Sequence, residues 1–393
     1  MAGPWARSEN EILATLQEMV AIDSVNPSLP GGDEGESGMV DYLAGFFDAL
    51  DIPCELYEVL PGRNNIIATL EGEDADRVLL FECHMDTASA EVMTIPPFEP
   101  HIRDGLLYGR GSCDTKAAGA AMIHAMKRLK EAGIKPPRTI AFAGAIDEEA
   151  FFEGSRSLAA HIQVEAAVIA EPTTLQVIRA HKGVVRFDVV VKGKAAHSAK
   201  PYLGVNAISK MARLIIEIEA ELGPVYAGMS DPLLGSPSLN IGVIQGGTQV
   251  NFVPDGCRVA VDCRLIPGQT PEEVLESFRS VVARVRKMDS ESSAVVEDPF
   301  FVCTALGTAE DVGIVGSAAD ACRAVLGECV VAGVPFATDG SSFAELGVPT
   351  IVLGPGSIDR AHGAVEWVEC EQVLQASEIY QRIMVTQAPS DDA

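Results

Sequence analysis

Val78-Leu79-Leu80-Phe81-Glu82-Cys83-His84-Met85-Asp86 is the stretch that decides the fold. A short run of large apolar residues breaks off into a glutamate, a histidine and an aspartate. A run this short suits a strand buried on both faces, as in a mostly parallel sheet. Other runs end the same way. Residues 139–146 lead into Asp147-Glu148-Glu149, residues 166–170 into Glu171-Pro172, and residues 350–353 into Gly354-Pro355-Gly356. Helical patterns at 117–132 and 151–162 separate them. Strands alternating with helices predict an α/β layered domain, and in such domains ligands gather at the carboxyl ends of the strands. Here those ends carry His, Asp and Glu.

Working outward, Ser8 and Glu11 form a capping-box pattern. Ile12, Leu13, Leu16, Met19 and Val20 then recur at helical spacing until Asn26-Pro27 stops them. The middle of the chain changes character. Residues 184–191 alternate as a strand, and 205–222 read as a helix. Strands are predicted at 239–244, 249–253 and 258–265, and a helix at 271–285 with Pro271 in its first turn. That order predicts a small α+β sandwich at 183–296, inserted in a domain made of 1–182 and 297–393. Residues 388–393 read as a disordered tail.

Composition narrows the function. The 393 residues carry a formal net charge of −27, from 56 acids against 29 bases. Nucleic acid and anionic membranes are therefore poor partners. No apolar stretch approaches the roughly 20 residues of a membrane span, and residues 1–10 show no secretory leader pattern. The 9 cysteines follow no repeated spacing, which suits reduced thiols and a cytoplasmic protein. At 47 % hydrophobic residues, a sizeable core can form.

The chemistry starts at His84-x-Asp86. A lone histidine is usually structural. After a buried strand, with an aspartate two residues on to hold its other nitrogen, it becomes a candidate metal ligand. Asp114 ends Gly109-Arg110-Gly111-Ser112-Cys113-Asp114, where glycines let the backbone turn sharply. A dinucleotide loop is excluded there, because Asp114 stands where the third glycine of the fingerprint is required. Glu148-Glu149 offers two carboxylates at a strand end: a solvated turn, or one ligand beside one base. Glu171 and His362 complete the set. Histidines with carboxylates suit zinc, and also admit cobalt or manganese. Two ions sharing one carboxylate would use all of these ligands. Cys83 and Cys113 read as small buried residues.

Several stretches, in order along most of the chain, resemble the M20 metallopeptidase family. They are His84-Met85-Asp86-Thr87, Gly109 to Lys116, Asp147-Glu148-Glu149, Glu171-Pro172-Thr173, Gly193 to Pro201, Asn251-Phe252-Val253-Pro254, Asp262-Cys263-Arg264 and His362. One departure is Ala117, where glycine is common. The resemblance implies a zinc-peptidase-like three-layer catalytic domain with a mixed, mostly parallel sheet, and an inserted lid and dimerisation domain. It implies two zinc ions bridged by Asp114, one completed by His84 and Glu171, the other by Glu149 and His362. Glu148 would be the general base and Asp86 would orient His84. His197 would reach into the partner's site of a homodimer and stabilise the oxyanion. Asn251 and Arg264 would contact substrate, the guanidinium fork suiting a carboxylate.

The substrate class follows as an N-acylated amino acid. The stretches Glu171 to Gln176, Arg179 to Gly183 and Val352 to His362 resemble the acetylornithine deacetylases of the family, which implies N2-acetyl-L-ornithine and a place in arginine synthesis. Succinyl-diaminopimelate desuccinylases, aminoacylases and dipeptidases are the alternatives. A non-catalytic metal-binding homologue is remote, since Glu148 and the ligand set are intact.

Overall fold

A computed structural model of the chain describes residues 7–289, 291 and 293–386, with side chains from Asn10 onward. The Ser8 side chain of the expected capping box and the tail at 388–393 lie outside the described residues. The chain forms two compact units. One comprises Met1–Arg179, Thr308–Ala332 and Thr338–Ala393, the other Ala180–Gly307 and Gly333–Ala337.

The chain opens with α1 (Arg7–Val20), α2 (Ser37–Asp48), the hairpin β1 (Cys54–Leu60) and β2 (Arg63–Leu70), and then β3 (Asp74–His84). A small hairpin, β4 (His101–Arg103) and β5 (Leu106–Tyr108), precedes α3 (Lys116–Ala132), β6 (Arg138–Ala145), α4 (Glu153–His161), β7 (Ala166–Ile169) and β8 (Val177–His181). The middle of the chain supplies β9 (Gly183–Lys192), β10 (Ala196–His197), α5 (Ala207–Ala227), β11 (Ser238–Gly246), β12 (Phe252–Val253), β13 (Gly256–Leu265), α6 (Pro271–Met288), β14 (Ser293–Val296), β15 (Phe301–Cys303) and β16 (Leu306–Gly307). The rest is α7 (Gly313–Leu326), β17 (Val331–Val334), α8 (Gly340–Glu345), β18 (Thr350–Val352), β19 (Trp367–Glu369) and α9 (Cys370–Val385).

In the first unit the sheet runs β1-β2-β6-β3-β7-β18-β8. Its centre is parallel: β3 pairs parallel with β6 and β7, and β18 with β7. The outer partners β1, β2 and β8 join antiparallel. Leu79, Phe81 and Cys83 of β3 join Ile140 and Phe142 of β6 in a core shared with α1, α2, α3, α7 and α9. The strand period of two sends Leu80, Glu82 and His84 to the opposite face, where α4 and α8 pack. Three layers result, as the resemblance implies. The run of alanines in α3 lets that helix lie close to the sheet; a Cβ added at Gly119 would meet the Cys83 sulfur at 2.8 Å. No described helix is long and apolar enough to cross a membrane. No disulfide is present among the described residues.

The second unit is a sheet in the order β11-β13-β9-β14, with β15 also on β9, all antiparallel. Phe187, Val189 and Val191 share an apolar core with Met211 of α5 and Phe278 of α6. A capping box starts α6: Thr270 accepts the Glu273 amide, Glu273 accepts the Thr270 amide, and Pro271 takes the first turn. The expected boundary at 296 falls short. Phe301–Cys303 pairs with Arg186–Val184, so the inserted unit runs on to Gly307. The strand expected at 249–253 shrinks to Phe252–Val253, and α5 runs past Leu222 through Pro224, because Tyr226 still has a buried position to fill.

Candidate metal centre

The strand ends deliver the predicted ligands to one place in the first unit. His84 ends β3, Glu149 follows β6, Glu171 follows β7 and His362 follows β18, so parallel strands bring them to the same edge of the sheet. Asp114 comes from the turn between β5 and α3. There Gly111 adopts φ +80°, and a Cβ on it would strike Thr87 at 2.8 Å. The Asp114 carboxylate lies between the two histidines. Its Oδ1 is 3.2 Å from His84 Nε2, and its Oδ2 is 3.3 Å from His362 Nε2. Glu171 Oε1 is 4.0 Å from His84 Nε2, and Glu149 Oε2 is 3.0 Å from His362 Nε2. His84, Asp114 and Glu171 therefore form one candidate triad, and Asp114, Glu149 and His362 another. Only His362 is open, its side chain 55 % exposed, so solvent and substrate have access from that side.

Asp86 divides its work. Its backbone carbonyl accepts the His84 Nδ1–H at 3.0 Å, which turns Nε2 toward Asp114. Its carboxylate lies 3.7 Å from Nδ1 and is engaged elsewhere. Oδ1 accepts the amide of Glu148 at 3.1 Å, and Oδ2 accepts the amide of Glu149 at 3.0 Å and Asn26 Nδ2 at 2.7 Å. The sequence expectation is that the Asp86 side chain orients His84; here the backbone carbonyl meets His84 and the carboxylate holds the Glu148-Glu149 turn.

That turn has a further brace. Asp147 sits at φ 71°, a conformation non-glycine residues seldom adopt. Its Oδ1 accepts from Arg63 Nη1 at 3.0 Å and Asn26 Nδ2 at 3.1 Å, and Arg63 also donates to Glu36. Asn26, Arg63 and Glu36 are missing from the sequence prediction. Asn26 reads there as a helix stop, and nothing local marks partners so far along the chain.

The electrostatics call for cations. Burial raises the Glu148 carboxyl well above its usual range, and the neighbouring Glu171 adds to this. Burial and Asp114 do the same to Glu171, whose Oε1 is buried without a hydrogen-bond partner. Asp114 is lowered: burial opposes its charge, but hydrogen bonds from His362 and His84 outweigh it. The same contact with Asp114, helped by Glu149, pushes His362 up to about 11. Several acids packed out of water need positive charge among them. A tetrahedral ion with bonds near 2.0–2.1 Å separates its ligand atoms by about 3.3–3.5 Å. The gaps given above, 3.0–4.0 Å, bracket that spacing, and the donor atoms of each triad all lie within 4.8 Å of one another. The residues fit a pair of ions sharing Asp114.

The remaining candidates lie in the second unit. His197 is exposed on β10, paired with Phe252. Its Nδ1 accepts the Ala199 amide at 3.1 Å, so its outward Nε2 is the donor nitrogen when the ring is neutral. The Asn251 carbonyl accepts the Ser198 amide at 2.9 Å, tying the two segments together. Arg264 donates from Nε to Asp262 Oδ1 at 2.8 Å, and Arg186 shares that aspartate. This ion pair occupies one edge of the Arg264 guanidinium.

The chain is similar to known proteins over most of its length. The model of peptidase family M20/M25/M40 matches residues 80–386. An acetylornithine deacetylase of Myxococcus xanthus is 30 % identical over 383 residues, covering 94 % of this chain and 95 % of the relative. One from Pasteurella multocida is 30 % identical over 388 residues, covering 95 % and 97 %. Among solved structures, aminopeptidase PepT of Bacillus cereus superposes with a TM-score of 0.78 at 23 % identity, covering 96 % of this chain and 98 % of that one. The YXEP protein of Bacillus subtilis, described as a dinuclear metal binding peptidase, gives 0.73 at 16 % identity, covering 96 % and 98 %. The chain therefore belongs to peptidase family M20/M25/M40 and is a metal-dependent amidohydrolase.

Proposed function

We propose that the chain hydrolyses the amide of an N-acylated amino acid, with N2-acetyl-L-ornithine giving acetate and ornithine, as a step in arginine synthesis. The relatives called acetylornithine deacetylase, similar over nearly the whole chain, support the substrate. The observation that carries the reaction type is Asp114, with one oxygen facing each histidine beside the Glu148 turn.

In this reading His84, Asp114 and Glu171 hold one ion and Asp114, Glu149 and His362 the other. Zinc is the proposed metal, and cobalt or manganese would be tolerated by the same donors. When bound, such ions would supply Lewis acidity toward a water and a carbonyl oxygen. Glu148 takes the proton from the attacking water and delivers it to the leaving nitrogen. Asp86 holds the backbone of Glu148 in place for both transfers. The protein works as a homodimer, and the partner subunit's His197 donates Nε2–H to the oxyanion of the tetrahedral intermediate. The Ala199 amide, which favours that tautomer, supports this role. Arg264 and Asn251 bind the substrate's carboxylate end.

The test is a turnover panel with zinc-loaded protein: N-acetyl-ornithine, succinyl-diaminopimelate, other N-acetyl amino acids and dipeptides. N-acetyl-ornithine is expected to be preferred, with Glu148→Ala lowering kcat by about 10²–10⁴-fold. Preference for a dipeptide or a succinylated substrate retains the reaction type and replaces the substrate. No turnover on any member removes the reading.

A further inference from the structure

The turn that presents Asp114 is held by a residue from the far end of the chain. Glu366 is fully buried in the first unit. Its Oε1 accepts two consecutive backbone amides, Cys113 N at 2.9 Å and Asp114 N at 3.1 Å. Its Oε2 accepts Arg110 Nη1 at 2.6 Å, and Arg110, also buried, donates to the Ser89 carbonyl at 2.6 Å. The backbone joins in, since the Gly109 amide donates to the Glu366 carbonyl at 3.2 Å. Next to it, β19 pairs with β5, Trp367 opposite Tyr108.

A buried carboxylate is costly unless paired, and Arg110 meets that need through one oxygen alone. The other oxygen is free to grip the two amides that set the direction of the Asp114 side chain. Glu366 also lies four positions after His362 on the same segment. One residue thus ties the shared carboxylate to the segment that carries the exposed histidine. We propose that Glu366 is a positioning residue for the metal centre: it fixes the Asp114 backbone relative to His362, and metal affinity depends on it. This rests on the reading that Asp114 is shared by two ions.

The test is zinc binding, measured by chelator competition on folded full-length protein. The wild type serves as reference, and His124→Asn is a destabilised control away from the site. Glu366→Gln is expected to bind zinc about 10–100-fold more weakly, the usual effect of losing a group that orients a ligand. Glu366→Asp keeps the charge opposite Arg110 but falls one methylene short of the amides, and it is expected to weaken binding by about 10-fold or more. It carries the test if Glu366→Gln does not fold. His124→Asn is expected to bind as the wild type does. A folded Glu366 variant within about twofold of the wild type overturns the proposal. A wild type that binds no zinc overturns the two-ion reading itself, and this inference with it.

Discussion

At the scale of single residues, Asp86 serves His84 and the Glu148-Glu149 turn through different atoms. Its carbonyl holds His84, while its carboxylate holds the amides of Glu148 and Glu149. Asp86→Ala removes the second function and spares the first. Unanchored, Glu148 no longer meets the attacking water in register, and kcat is expected to fall by about 10²-fold or more. The occupancy of zinc at His84 should change little. Steady-state kinetics beside metal analysis checks this; equal loss of metal and activity would place the role of Asp86 at His84 after all. The candidate ligands were legible in the sequence because His84, Glu149 and Glu171 each follow an apolar run, where a charged residue has no packing reason to sit. Asn26, Arg63, Glu36 and Glu366 were not. Their partners stand 27 to 256 positions away, and locally each looks like a loop or a helix stop.

At the scale of elements, α3 carries a buried histidine that should make stability fall in acid. His124 Nε2 meets Thr15 Oγ1 of α1 at 2.9 Å. Burial lowers its pKa from 6.5 to about 4, helped by Lys127 and Arg128 and opposed by Glu11. The folded protein therefore keeps the ring neutral, while the unfolded chain protonates it below about pH 6.5. This contribution is complete above that pH and is lost as pH falls toward 4. Between pH 7 and pH 5 it amounts to about 2 kcal/mol. Urea titrations should show His124→Asn less stable at pH 7 but with a pH dependence shallower by about that amount. Parallel pH curves for the two proteins would rule the linkage out. The pattern of α3 was plain from its periodicity, whereas α2, α7, α9 and the β1–β2 hairpin were not read at all. The partners of the hairpin are set by the sheet edge it joins at β6, which no local pattern specifies.

At the scale of the whole molecule, a layered α/β domain and an inserted sandwich were readable, because strand, helix and turn signals alternate in the order that each architecture requires, while the three layers came from the family resemblance. How many copies work together was not, since an interface leaves only scattered apolar residues on a surface. The second unit has such a surface. β11 is the edge of its sheet, with Ile244 56 % exposed, and Ile216 of α5 is 64 % exposed. A long apolar edge strand left bare invites pairing. In a protein of net charge −27, general repulsion works against self-association, so an association that does occur must come from a specific patch like this one. If a second copy pairs here and supplies His197, Val243→Lys with Ile244→Glu should turn the dimer into a monomer in sedimentation velocity. The monomer should bind zinc like the wild type, because its ligands all lie in the first unit. It should lose about 10²–10³-fold in kcat, the worth of an oxyanion donor. His197→Ala in the intact dimer should lose a similar amount, and combining the changes should cost little more, since both remove the same hydrogen bond. Losses that multiply instead would mean that His197 and the edge strand act separately, and a wild type that sediments as a fully active monomer would end the argument for a donor in trans.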